Sequence, residues 1–257
     1  MRIIDALEAH RLATPLKDAH KVFLNAPAAE ARVELEASSF DQAPVYLKGH
    51  TLVGWVATRS LVDGTTVKAA YQPLSQSPFA GASTSINDVL RHLASPGFCF
   101  TVGREGIEGF ITPSDLDRHA SRCHFYILVA GVEMMLSSAV KSLVPERDLV
   151  ERISTHPMSG GADHPARTLR KMYDEARDDG RDTHAVEYLY LGELIDVAAA
   201  AAKFSSTLIT QLELVRDLRT TVMHPTRALT RLGANQLASA AAAATASYSA
   251  LGDIVRE

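Results

Sequence analysis

The hydrophobic positions of this chain follow two different periods, and the change comes near residue 118. Between about Ser39 and Arg118, short β-branched or aromatic runs alternate with Gly and Pro breaks. Pro44 to Tyr46, Leu52 to Ala57, Phe98 to Val102 and Ile107 to Ile111 predict strands, and Ser85 to Leu93 predicts a helix. From about His119 the strand signals stop. Helical patterning runs through Arg122 to Leu143, Pro165 to Asp178, Thr183 to Phe204, Ser205 to Met223 and Thr230 to Val255, with Gly/Pro-containing loops at Thr155 to Pro165 and Asp179 to Asp182. The expected fold class is α+β: an α/β unit over residues 1–118, then an all-α unit over residues 119–257.

The α/β pattern is used twice. Gly54-Trp55-Val56-Ala57-Thr58-Arg59-Ser60 aligns with Gly109-Phe110-Ile111-Thr112-Pro113-Ser114-Asp115, and each string follows a strand and a Gly-containing hairpin. The alanine tracts Ala198 to Ala202 and Ala240 to Ala244 read as closely packed core helices without chemistry, since Ala costs least on forming a helix.

Composition narrows the function classes. A chain of 257 residues holds one or two domains, and 26 Lys and Arg against 30 Asp and Glu give a net charge of -4. That balance excludes a generally basic nucleic-acid coat, so any nucleic-acid contact must be local. The two cysteines, Cys99 and Cys123, form no C-x-x-C pair, which points to a reducing, cytoplasmic setting. Asp5 and Glu8 interrupt the N-terminus as an export signal, and the apolar run Phe125 to Val132 stops at Glu133. That run is far short of the roughly 20 residues that cross a bilayer, so it reads as a buried helix with no membrane partner.

Asp41-Gln42-Ala43-Pro44-Val45 entering the first half, with the Gly-hydrophobic-hydrophobic-Thr-x-x-Asp string of Gly109, Thr112 and Asp115 in the second, resembles a CBS domain. Residues 1–118 as a whole resemble a tandem CBS pair, or Bateman module. The resemblance implies an adenosine-containing regulatory ligand between the halves: AMP, ADP, ATP or S-adenosylmethionine. Asp115 at a helix start can accept both hydroxyls of a ribose, Thr112 adds a hydroxyl, and the unpaired N–H groups near Ser114 suit a phosphate. The alternative for Ser114 and Asp115 is plain N-capping. The first half departs from the pattern, with Ala57 for the Thr and Ser60 for the Asp, so a single well-formed site, on Thr112, Ser114 and Asp115, is expected.

In the second half, positive charge gathers between Arg216 and Arg231, where Arg216, Arg219, Arg227 and Arg231 face a single acid, Asp217. This marks a phosphate-facing, RNA-binding edge. Within it, Leu218-Arg219-Thr220-Thr221-Val222-Met223-His224-Pro225 resembles the Arg-x4-6-His motif of HEPN domains, a helical-bundle superfamily that includes metal-independent endoribonucleases and toxins. Glu133 on the first long helix and the Tyr188 to Asp196 segment fit that architecture. Positions five apart lie about 140° from each other on a straight helix. Pro225 ends the helix at His224 and frees the imidazole to swing toward Arg219.

The resemblance implies RNA cleavage by the substrate's own 2′-hydroxyl. Arg219 clamps the phosphate, His224 exchanges protons, Thr220 and Glu133 assist, no metal is required, and a composite site forms across a homodimer. Thr220 stands where the motif usually has Asn, keeping a hydroxyl and losing the amide. The alternatives are that Arg219 pairs structurally with Asp217, Glu213 or a carboxylate on another helix and His224 caps a helix C-terminus, leaving a non-catalytic nucleotide-sensing dimer. His156, Asp163 and His164, and the pair His119 and His124, lack a further metal ligand at suitable spacing.

Overall fold

The computed structural model describes residues 8–81, 83–154, 169–224 and 226–256. The fold is α+β, and the chain forms two compact units. One comprises Met1–His124 with Arg227–Ala238, the other Phe125–Thr226 with Ser239–Glu257.

The first unit holds two four-stranded sheets built on one plan. In the first half, β2 (Val22–Phe23), α1 (Ala28–Ala37) and β3 (Gln42–Tyr46) make a parallel crossover, and β4 (Leu52–Ala57) returns antiparallel to β3. In the second half, β6 (Phe79–Gly81), α2 (Ile86–Ala94) and β7 (Cys99–Gly103) do the same, followed by β8 (Gly106–Ile111). The outer strands are exchanged between halves. β5 (Gln72–Pro73), just before the second half, pairs with β4 of the first, while β1 (Thr14–Pro15), just before the first half, pairs with β8 of the second.

Gly54 lies opposite Pro73 and Gly109 opposite Pro15, so the glycine of the repeated string has one structural role in both halves. A Cβ at Gly109 would stand 2.7 Å from the Thr14 carbonyl oxygen, too close for any side chain. Thr14-Pro15-Leu16 and Gln72-Pro73-Leu74 are thus a second pair of matching segments.

Period-two alternation in β4 separates two cores. Val56 faces α1 with Val22, Ala31, Leu35, Ala43 and Val45. Trp55, on the other face, joins Phe98, Phe100 and Phe110 of the second half. Trp55 stacks on Phe98 at 4.7 Å between ring centroids, and Phe98 on Phe110 at 5.3 Å. The indole N–H of Trp55 and Oε1 of Gln42 are buried without a hydrogen-bond partner.

The second unit is helical. α3 (His119–Leu143) enters it from the first unit, and α4 (Glu146–Ser154), α5 (Leu169–Asp178), α6 (Leu191–Ala200), α7 (Ser206–Val222) and α8 (Gly233–Arg256) follow. α3 buries Phe125, Leu128, Val129, Val132, Leu136, Ala139 and Val140, a single stripe at helical spacing. It runs straight through Glu133, and among the described residues it is the helix long and apolar enough, by length and composition, to cross a membrane. Leu208, Leu212, Val215, Leu218 and Val222 form the matching stripe of α7.

Two of the expected helices are interrupted. Thr183 to Phe204 is not one helix: a 3-10 turn over Ala185–Tyr188 precedes α6. His184 Nδ1 accepts the Val186 N–H and the Glu187 carboxylate accepts the His184 N–H, and such local bonds compete with helix propagation. Thr230 to Val255 begins as a 3-10 turn, Leu229–Leu232, that Gly233 breaks at φ 69° before α8. The 155–165 loop, with His156, Asp163 and His164, lies outside the described residues, as does Pro225.

Candidate functional site

In the first unit the repeated string ends at Asp115, and the structure surrounds that carboxylate with donors. Thr112 caps the 3-10 turn Pro113–Asp117. Asp115 Oδ2 accepts the Thr112 backbone N–H at 2.8 Å and its hydroxyl at 2.9 Å. Asp115 Oδ1 accepts the Thr14 hydroxyl at 3.1 Å and forms an ion pair with the Arg118 guanidinium at 2.7 Å. The carboxylate therefore accepts three hydrogen bonds and faces one cation, and Asp115 is only 7% exposed. Arg118 also donates to the Thr14 hydroxyl at 2.6 Å and to the Ala13 carbonyl at 3.0 Å. A buried carboxylate demands such partners, because one left unpaired costs several kcal/mol, roughly, in desolvation. Ser114, beside this cluster, is exposed.

The corresponding place in the first half has no carboxylate. Ala57 and Ser60 occupy it, and the intervening Thr58 hydroxyl donates to the Phe40 carbonyl at 2.6 Å.

The arginines of the segment Arg216 to Arg231 are divided between the two units. Arg227 and Arg231 belong to the first, Arg216 and Arg219 to the second. In the first unit Asp117, two residues past Asp115, accepts the backbone N–H groups of Leu229 at 2.5 Å and Thr230 at 3.2 Å, and the Thr230 hydroxyl at 2.6 Å. Arg122 donates to the Arg227 carbonyl. Arg227 and Arg231 themselves are exposed.

In the second unit α7 ends at Val222, with Met223 as its cap, so His224 stands just past the helix and is exposed. Arg219 and Glu133 approach to 3.5 Å between Nε and Oε2, both partly buried. That contact is an ion pair without a hydrogen bond, since the Arg219 Nε–H has no aligned acceptor. Of the carboxylates offered to Arg219 by the sequence, the one on another helix is thus the one that pairs. Arg216 is engaged within its helix, with Glu213 at 2.6 Å, and the Thr220 hydroxyl donates to the Arg216 carbonyl at 3.1 Å.

A polar cluster that sequence reasoning missed lies at the start of α4. Glu146 accepts the Tyr173 hydroxyl at 2.9 Å and the Ala185 N–H at 3.3 Å, and Arg177 donates to the same Tyr173 oxygen at 2.8 Å. The Tyr173 hydrogen bond holds the Glu146 carboxyl below its ordinary range, helped by the Ala185 N–H and the nearby charges of His184 and Arg177, against the opposing effect of burial. Thr14, Arg118 and Asp117 were missed as well. The recurring Pro-Leu of residues 15–16 and 73–74 was the available signal for Thr14. Among the described residues no group of three or more His, Cys, Asp or Glu side chains is placed to hold a metal ion. His124 is buried, with Nε2 3.0 Å from the Asn87 side-chain oxygen.

No protein-family model and no curated protein matches this sequence. Solved structures of CBS-domain proteins resemble its N-terminal α/β portion. The CBS-pair protein CBSX2 from Arabidopsis thaliana is 20% identical over 46% of this chain and 96% of its own, with a TM-score of 0.40. CBSX2 in complex with AMP is 21% identical over 46% of this chain and 98% of its own, also at 0.40. The CBS domain of a bacterial CNNM/CorC family Mg2+ transporter in complex with ATP is 17% identical over 44% and 86%, with a TM-score of 0.37.

Proposed function

We propose that the chain is a nucleotide-responsive regulatory protein whose duplicated α/β unit is a CBS pair binding an adenosine-containing ligand, AMP, ADP, ATP or S-adenosylmethionine, at Thr112, Ser114 and Asp115. The observation that carries this reading is the partner set on Asp115 Oδ1, which consists of the hydrogen-bonded Thr14 hydroxyl and the ion-paired Arg118 guanidinium. The two hydroxyls of a ribose are donors like the Thr14 hydroxyl. They can replace that set without leaving the buried carboxylate unpaired, and the exchange releases Arg118, a charged fork suited to a phosphate. The unpartnered Trp55 N–H and Gln42 oxygen lie on one strand pair, and a purine edge carries both an acceptor and a donor for them. Calorimetry with the four ligands tests the proposal. Binding that Asp115→Asn weakens is expected; no heat with any of them overturns it.

The output we assign to the helical unit is a second reading, HEPN-type RNA cleavage in a homodimer, and the looseness of the Arg219–Glu133 contact favours it. An ion pair without an aligned hydrogen bond yields readily to a phosphate, which takes a guanidinium bidentately. Thr220 weighs against it, because its hydroxyl already donates within the helix. Incubation with a mixed RNA pool, with and without nucleotide, decides between catalysis and a purely sensing dimer. Cleavage lost in His224→Ala and Arg219→Ala supports the enzyme; an intact pool, or equal cutting by His224→Ala, removes it.

A further inference from the structure

The two halves of the duplicated unit diverge at the edge opposite the Thr112–Asp115 string. The crossover β2–α1–β3 leaves a cleft of about 420 Å³ at the carboxyl ends of its two parallel strands, lined by Phe23, Leu24, Ala26, Tyr46, Leu47 and Lys48 among others. Residues Leu24 to Ala26 lead from β2 into α1, so the cleft sits where open α/β units bind ligands, outside strand carboxyl ends and beside the helix start. Its size falls within the roughly 300 to 1,000 Å³ of small-molecule sites.

The matching positions in the second half carry no aromatic ring among the described residues. Val45 lies opposite Gly54 and Thr101 opposite Gly109, so Tyr46, Leu47 and Lys48 correspond to Val102, Gly103 and Arg104. The parallel pairing likewise sets Phe23 against Gly81. The first half, which lacks the Thr and Asp of the repeated string, is the one that places two aromatic rings and a leucine here.

Charge selects the occupant. The residues lining the cleft include a lysine and no carboxylate. A second lysine, Lys21, stands 5.8 Å from the centroid of the Tyr46 ring. Phe23 and Leu47, both 39% exposed, are large apolar side chains left partly open at its mouth.

We propose that this cleft binds a small aromatic monoanion, its ring seated against Phe23, Tyr46 and Leu47 and its charge met by Lys48 and Lys21. The site is separate from the nucleotide site: Thr112, Ser114 and Asp115 belong to the other half, and their counterparts here follow β4 past Ala57, which pairs with Gln42 at the opposite end of β3.

The full-length chain is titrated with 2-naphthoate in nucleotide-free buffer, by calorimetry and by amide NMR. One molecule bound per chain is expected, with shifts concentrated at residues 23–26 and 46–48. Lys48→Glu, at an exposed position, should weaken binding about tenfold or more, and Leu47→Ala should weaken it less. The cation 2-naphthylmethylammonium should bind far more weakly. Shifts elsewhere, indifference to Lys48→Glu, or equal binding of the cation would overturn the proposal. It also fails if the same amides shift on diluting the protein alone, since a second copy of the chain then fills the cleft.

Discussion

Asp117 accepts the backbone N–H of Leu229, 112 residues away in sequence, at 2.5 Å. The same carboxylate takes the N–H and hydroxyl of Thr230, so it acts as the cap of the 3-10 turn Leu229–Leu232. Asp117 and Asp115 share one short turn, and any ligand that rearranges the partners of Asp115 acts two residues from this cap. Asp117→Ala removes the acceptors of all three hydrogen bonds. Hydrogen exchange at the Leu229 and Thr230 amides should quicken by about ten- to a hundredfold, the equivalent of roughly 1.5–3 kcal/mol for bonds to a charged group. Unchanged protection would show that the turn is held by other contacts.

Thr14→Val tests the buried carboxylate from its other side. The substitution keeps shape and loses the hydroxyl donated to Asp115 Oδ1 and offered to Arg118. A stability loss of about 1–2 kcal/mol is expected. The single tryptophan, Trp55, lies in this unit and reports its urea unfolding by fluorescence.

The Glu146 cluster should make the helical unit sensitive to acid. The folded carboxyl titrates below its ordinary value of 4.5, so the stabilisation is fully present above about pH 4.5 and is lost as pH falls through the folded value. Tyr173→Phe removes the largest cause of the depression. Wild type should exceed this variant in stability at pH 7, and the gap should close on acidification. A gap that stays constant to pH 3 contradicts the assignment.

Thiol labelling should distinguish the two cysteines. Burial pushes the Cys99 thiol up to about 12, whereas Cys123 is exposed. Since the thiolate is the reactive form, an aromatic disulfide reagent should modify Cys123 alone in the native chain and both after denaturation. Rapid native labelling of both would contradict the packing of β7.

Ser247 is fully buried in α8, and its hydroxyl has no hydrogen-bond partner. Ser247→Ala removes a desolvated polar group and adds helix propensity, so stability should rise by about 1 kcal/mol, read by thermal unfolding.

Where side-chain period and length suffice, the sequence predicts the elements closely. Leu52 to Ala57 is β4, and Ser85 caps α2, accepting the Asp88 N–H. The two-residue strands β1, β2 and β5 are too short to have a period, and they exist because partners distant in sequence pair with them. α1 has an alanine- and glutamate-rich surface and buries only Ala28, Ala31 and Leu35, so no strong apolar stripe announces it. α4 is short and largely charged, with Leu149 and Ile153 as its buried residues. Asp115 is legible because it ends a repeated string. Its partner Thr14 is not, because only the exchanged strand brings it near. The Arg219–Glu133 pair is half legible: the residues were marked, but their pairing depends on how α3 and α7 pack.

The exchange of outer strands also sets a schedule for folding on the ribosome. Thr14 emerges early but must wait for Phe110, about 95 residues later, before β1 has a partner. At roughly 5–20 residues per second that interval is about 5–20 seconds. The first sheet closes sooner, since β5 follows β4 within about 20 residues. The N-terminal segment is therefore the last edge to be sealed, and a nascent chain stalled before β8 displays both an unpaired strand and a Thr14 hydroxyl with no carboxylate to meet it.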